Sequence, residues 1–272
     1  MSWSSFLLEL YRIGNKYYLV AGFFFILFYW ILRKRVTFKK IQPKFPRPKD
    51  YLREIGFSTI SILIFVLPAL IILDTPSVRA HSTFYYPLSR HSWAYFFFAF
   101  VPMLLIHDTY FYWMHRLIHH PRLFKWFHLV HPKSTNPSPW AAYAFHPLEA
   151  VLESLVFVII LFTLPVTGYH LLFYFLFSIV YNVYGHLGYE LYPAGFQRTW
   201  IGKWMNTSVC HNQHHHYFKG NYGLYFLFWD RAMGTLRKDY DDAYDEVTTR
   251  KKEPSSISAD IVHNTPAHSY PM

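Results

Sequence analysis

The placing of the histidines constrains this chain more than any other feature. Of its seventeen histidines, thirteen lie between His107 and His216. Most fall in one stretch from His107 to His146, HDTYFYWMHRLIHHPRLFKWFHLVHPKSTNPSPWAAYAFH, answered later by His211-Asn-Gln-His214-His215-His216. If Tyr110 to His119 are helical, His115 and His119 share a face with Cβ atoms about 6 Å apart, a chelating geometry. His128 and His131 follow at i, i+3, and His211 and His215 again share a helical face, with His214 beside them. These blocks adjoin strongly apolar runs, where an unpaired polar ring is costly. The fold must therefore bring the rings together around something.

With 53% hydrophobic and 22% aromatic residues, the chain is too apolar for an ordinary soluble domain and reads as an integral membrane protein. A membrane chain without barrel-like alternation is helical, because each spanning segment must satisfy its own backbone. The lone Cys210 excludes a disulfide framework and a thiolate cluster, so any metal is held by nitrogen, which suits iron, zinc, copper or nickel. The net charge of +10 raises nucleic acid as a partner. The segment RKRVTFKKIQPKFPRPKDYLRE, however, gathers nine Lys or Arg in one block beside an apolar run, which marks topology and lipid contact instead.

The expected fold class is all-α: a multi-pass membrane bundle with a cytoplasmic, helical, histidine-rich metal-binding cap. Tyr17 to Leu32 is expected as a first, retained membrane helix, since no cleavage site like that of a signal peptide follows it. The basic segment, with three prolines, is then a broken cytoplasmic loop by the positive-inside rule. Ile55 to Leu73, with Pro68 inside, is a second span, and Trp93 to Ile106 begins a third. From Pro147 the sequence makes a helical hairpin around Val166-Thr-Gly-Tyr-His170. Its arms, at about 22 Å of apolar length each, are short of the roughly 30 Å hydrocarbon core, so it either spans or re-enters. There are thus about four spans, or two plus hairpins. Counting them puts His115 to His146, His186 and His211 to His216 on one face, with His81 and His91 across the bilayer as surface residues.

Two metals need eight to ten imidazoles, and His115, His119, His128, His131, His186, His211, His214 and His215 supply eight. His120, His170, His216, His263 and His268 break the spacing or lie on the wrong side, and read as ordinary histidines. Paired Glu-x-x-His motifs, as in soluble di-iron bundles, are absent, as is His-Glu-x-x-His.

The blocks HDTYFYWMHRLIHHPRLFKWFHLVH, STNPSPWAAYAFHPLE, GHLGYE and HNQHHHYFKGNYGLYFLFWDRAMGT resemble the fatty acid hydroxylase and sterol desaturase superfamily of membrane di-iron oxygenases. Its pattern of His-x-x-x-His, His-x-x-His-His and His-x-x-His-His falls on His115 and His119, then His128 and His131, then His211, His214 and His215. Pro132 stands where that pattern has a further histidine. His107, His146, Asn182 or water is then left to complete the ligand set.

The resemblance implies an O2-dependent hydroxylase or desaturase acting on an unactivated C–H bond of a sterol, fatty acyl or sphingolipid substrate. It implies two iron ions, with zinc as a possible stand-in, and an external electron donor of cytochrome b5-like or ferredoxin type, which the basic loop would dock. Residues 93–237 would be the catalytic region, 1–92 the N-terminal membrane helices, and 238–272 a polar tail. The setting would be the endoplasmic reticulum or a bacterial inner membrane. Asp108, Glu149, Asp230 and Arg231 are candidates for holding the ligands. Tyr110, Phe111, Tyr112, Trp113, Tyr143, Tyr222, Tyr225 and Phe226 either line a lipid channel or form an interfacial belt. A degenerate lipid-binding scaffold, which Pro132 favours, and a metal transporter are the competing readings.

Overall fold

The computed structural model describes residues 2–128, 130 and 133–251, which carry helices, loops and three isolated bridges but no strand. Helix α1, Trp3–Phe25, is prolonged by a π-helical turn, Ile26–Ile31. It begins well before Tyr17, where the apolar run suggested a start, and the Ser2 hydroxyl caps it by accepting from the Ser5 N–H. The polar residues that hid this turn, Glu9, Arg12 and Lys16, recur at helical spacing and line a partly open cavity with Ile13. Arg12 and Glu9 form an ion pair at 2.6 Å.

The basic segment breaks into short turns, Arg33–Val36 and Thr37–Lys39, before α2, Pro48–Leu73, starts on a proline whose missing N–H has no partner to lose. Helices α3, Trp93–Phe98, and α4, Phe100–Ile118, run on through Ala99. Helix α4 continues past Ile106 because Asp108, Phe111, Tyr112 and His115 form its buried face. After α5, Pro121–Phe127, the hairpin is α6, Pro147–Thr163, and α7, Gly168–Gly185. Among the described residues, two segments, Pro48–Leu73 and Trp93–Ile118, are long and apolar enough to cross a bilayer.

The chain has two distinct ends. At one, Phe84 bridges Val166, Ile72 packs in the same cluster as Leu171, and the His170 ring bonds the Phe96 carbonyl. At the other, Gln42 donates to Asn212 and to the Thr135 carbonyl, Lys40 pairs with Tyr189, and Ser138 donates to Glu54. The basic segment, the end of α4, the start of α6 and the end of α7 all gather there. Lys40 is the exception within its exposed block. It is buried, its ammonium lies 4.9 Å from the Phe45 ring and 5.6 Å from that of Tyr189, and burial lowers its pKa to about 8.

Helix α8, Ser208–Tyr217, carries the late histidines at this same end. Behind it lies α9, Tyr240–Thr248, inside the segment expected as a polar tail. Its residues Tyr240, Tyr244 and Val247 recur at i, i+4, i+7 and pack on Val209, Cys210 and Leu227, which braces the histidine helix from behind. Residues 252–272, with His263 and His268, lie outside the described residues.

Candidate metal centre

Helix α4 presents His115 and His119 one turn apart, and the turn after α5 brings His128 to them. Helix α8 sends His214 toward this set and turns His211 and His215 the other way, toward His186 at the end of α7. Two groups result. In the first, His115, His119, His128 and His214 have ligand atoms within 4.8 Å of one another, and the same limit holds for His186, His211 and His215 in the second. His131 and Pro132 lie outside the described residues.

The spacing suits metal ions. Two nitrogens about 2.1 Å from one ion, at tetrahedral or octahedral angles, lie about 3.0–3.4 Å apart. Here the Nε2 atoms of His186, His211 and His215 are mutually separated by 3.0, 3.1 and 3.2 Å, and those of His115 and His128 by 3.3 Å. The Nε2 atoms of His119 and His214 are buried with no hydrogen-bond partner among the described residues. A bare imidazole nitrogen in that position is costly unless a cation takes its lone pair.

The opposite ring nitrogens are occupied, which sets the tautomer. Nδ1–H of His115 donates to the Tyr222 carbonyl at 3.1 Å, that of His214 to the Gly220 carbonyl at 2.8 Å, and that of His186 to the Asn182 carbonyl at 2.8 Å. His128 instead donates to the Glu149 carboxylate at 2.5 Å. Each bond leaves Nε2 with its lone pair toward the group centre. Burial lowers the pKa of His128 and His214 to about 3 and that of His186 to about 4. Burial first, and neighbouring imidazoles second, push His119 and His211 well below the ordinary range. All five are therefore neutral near pH 7, the form that binds a metal.

Of the four residues expected to support the ligands, only Glu149 bonds a ring. Asp108 accepts from the Tyr225 and Phe226 amides, and Asp230 from those of Tyr222 and Gly223 and from the Thr235 hydroxyl, so both brace the loop after α8. Arg231 donates to the Lys203 carbonyl. Of the fill-in ligands, His107 and His146 fall outside both groups. His107 bonds the hydroxyls of Tyr174 and Tyr225, His146 caps α6 through the Leu148 amide, and the Asn182 amide donates to the Ala142 carbonyl. A helix periodicity cannot show which side chain a nearby loop will claim.

Glu190, in the GHLGYE block, has a structural role that sequence reasoning missed. Its buried carboxylate accepts from the Val209 and Tyr192 amides and the Tyr184 hydroxyl, which anchors the start of α8. An acid inside an otherwise apolar block was the available signal. Replacing Glu149 with leucine is expected to weaken metal binding at the first group ten- to a hundredfold and to spare the second. Competition with a chelator measures this, and equal loss at both groups would contradict it.

An apolar cavity of about 470 Å³ lies between α1, α2, α6 and α7. One end is lined by Leu73, Phe84 and Tyr86, and the other reaches Phe111 and Leu224. Phe111 is also in ring contact with His115, at 5.0 Å between centroids, so the cavity ends one side chain away from the first histidine group.

Comparison with known proteins agrees with this geometry. Residues 100–235, half of the chain, match the fatty acid hydroxylase family. A Delta(7)-sterol 5(6)-desaturase of Gibberella zeae is 27% identical over 84% of this chain and 71% of its own length. Another, of Leptosphaeria maculans, is 28% identical over 84% of this chain and 60% of its own. One from Aspergillus fumigatus is 30% identical over 77% of this chain and 69% of its own. The chain thus spans between 60% and 71% of these relatives' lengths. No solved structure matches it. From the family match and these relatives together, the chain belongs to the fatty acid hydroxylase and sterol desaturase superfamily.

Proposed function

We propose that this chain is a membrane-bound, di-iron, O2-dependent oxidoreductase that hydroxylates or desaturates a lipid, with a sterol as the favoured substrate class. One observation carries the reading: two separate sets of converging imidazoles stand at the same end of the chain, the first of them one side chain beyond an apolar cavity large enough for part of a lipid. The relatives' names add the sterol class.

His115, His119, His128 and His214 would hold one iron, and His186, His211 and His215 the other. Iron bound there supplies the oxygen activation needed to attack an unactivated C–H bond. The chain's own residues do the rest. The carbonyls of Tyr222, Gly220 and Asn182 and the Glu149 carboxylate hold the rings in register. Phe111 and Leu224 close the inner end of the cavity against water, so the carbon that reacts is selected by how far the lipid can advance.

The histidine end carries the basic segment and is assigned to the cytoplasmic side, as the charge rule requires. Residues 93–237 would form the catalytic region, and residues within 1–92, Ile13, Phe65 and Ala69 among them, would supply one wall of the cavity. Electrons would come from a separate acidic donor docked on the exposed lysines and arginines of that segment. In purified protein, about two irons per chain are expected from a site of this ligand count. Lipid profiling of expressing cells should show an oxidised sterol that disappears with His214→Ala and His215→Ala. Unchanged profiles across sterols, fatty acids and sphingolipids would reject the reading.

A further inference from the structure

A series of oxidisable rings leads from the first histidine group to the outside of the chain. Between centroids, the Tyr222 ring lies 5.0 Å from His119, 5.6 Å from His115 and 5.7 Å from His214. Tyr112 follows at 6.3 Å from Tyr222, and the Trp229 indole stacks on Tyr112 at 5.9 Å. Trp113 ends the series, 5.4 Å from both Tyr112 and Trp229, and it is 43% exposed. Each step is a ring contact. The rings are also held in place. The Tyr112 hydroxyl accepts from Arg116 and donates to the Thr235 hydroxyl, whose own proton goes to Asp230, while Trp229 Nε1 donates to the Thr109 hydroxyl.

The kind of ring depends on the side of the metal centre. Among the described residues, the other non-histidine rings in contact with the first group are Phe124 and Phe111, and Phe111 stands on the cavity side. None of Tyr112, Trp113, Tyr222 and Trp229 is among the described residues that line the cavity. A phenyl ring is hard to oxidise, whereas a phenol or an indole gives up an electron and a proton much more readily. Tyr112 is favoured further, because its proton already has an acceptor in Thr235. Phenols and indoles do not take up an electron from a biological donor. The series therefore suits oxidising equivalents moving outward, not reducing ones moving inward.

We propose that Tyr222, Tyr112, Trp229 and Trp113 form an escape route by which oxidising equivalents leave the metal centre when no lipid is in position. This goes beyond the oxidase reading and rests on it. In desaturation the lipid gives two electrons and two protons toward the reduction of O2 to two waters, and the external donor supplies the other two electrons. Without the lipid, the missing pair comes through the rings. Each electron moves inward from ring to ring, the vacancy ends on Trp113, and the indole proton is released to the surroundings. The Arg116 guanidinium, 5.8 Å from the Trp113 ring, favours that release by disfavouring a second positive charge. An external thiol returns one electron and one proton to the indole, so two thiols end as one disulfide.

The test is mass spectrometry of the full chain in detergent, loaded with Fe(II) and treated with limiting hydrogen peroxide without lipid or thiol. Trp126 and Trp200, 63% and 79% exposed, are the controls, since undirected oxidation follows exposure. In the wild type, Trp113 is expected to be oxidised ahead of both, and added thiol should protect it. Tyr222→Phe keeps the backbone carbonyl that holds His115 but removes the first oxidisable ring. Per bound iron, the excess at Trp113 should be lost, and oxidation should move inward to His115 and His119. Tyr112→Phe should give the same loss through a different residue, so a folding defect in one variant does not decide the outcome. Oxidation that ranks Trp200 above Trp113 in the wild type, or an undiminished excess in both variants, would overturn the proposal. Iron content separates it from the metal reading: iron bound with no excess at Trp113 overturns the escape route alone, whereas a chain that takes up no iron overturns both.

Discussion

Alanine at His128 and, separately, at His211 is expected to remove metal from one group at a time. Each variant should retain about one of two ions and lose turnover to below detection, since a two-metal site does not work by halves. The prediction follows from how the rings divide: His128 meets His115, His119 and His214, whereas His211 meets His186 and His215. Metal content per chain, with a thermal unfolding curve to show the fold is intact, checks it. If His128→Ala and His211→Ala each emptied both groups, or neither, the division into two sites would be wrong.

The second large effect is expected at Asp230, which touches none of the rings. Its fully buried carboxylate accepts the Tyr222 amide at 2.9 Å, the Gly223 amide at 2.8 Å and the Thr235 hydroxyl at 2.7 Å. That holds the loop whose Gly220 and Tyr222 carbonyls orient His214 and His115. The loop has no room to rearrange, because a Cβ on Gly223 would lie 2.3 Å from the Phe226 carbonyl oxygen. Asp230→Ala strands two buried amides and should cost about 3–5 kcal/mol at roughly 1.5–3 for each bond to a charged group, partly offset by relaxation. Asp230→Asn should also fail, since its NH2 group must face one of the two N–H donors. Both variants should lose metal from the first group more readily than from the second. Denaturant unfolding and metal titration measure the two effects, and wild-type stability in Asp230→Asn would refute the account.

Much of the site was legible in the sequence because ring spacing on a helix is a local property. The i, i+4 pairs His115/His119 and His211/His215 each share a face, and the structure brings each pair together. The support around the rings was not legible. Asp108 and Asp230 looked like partners for imidazoles, yet both bond backbone amides of the loop after α8, which lies far from Asp108 in sequence. Likewise, three of the four Nδ1 partners that are carbonyls or carboxylates are backbone carbonyls, which no residue pattern announces.

By itself the sequence determined that the chain is helical, that its apolar runs end in histidines, and that a basic block lies beside them, since periodicity, burial cost and charge act along neighbouring residues. Only the tertiary structure decided that His214 parts from its neighbour His215. One residue of helix turns a side chain by about 100°, so the two rings face different partners across α8. The tertiary structure also decided that Glu9, Arg12 and Lys16 belong inside a helix, because only packed neighbours could supply the cavity those polar side chains face.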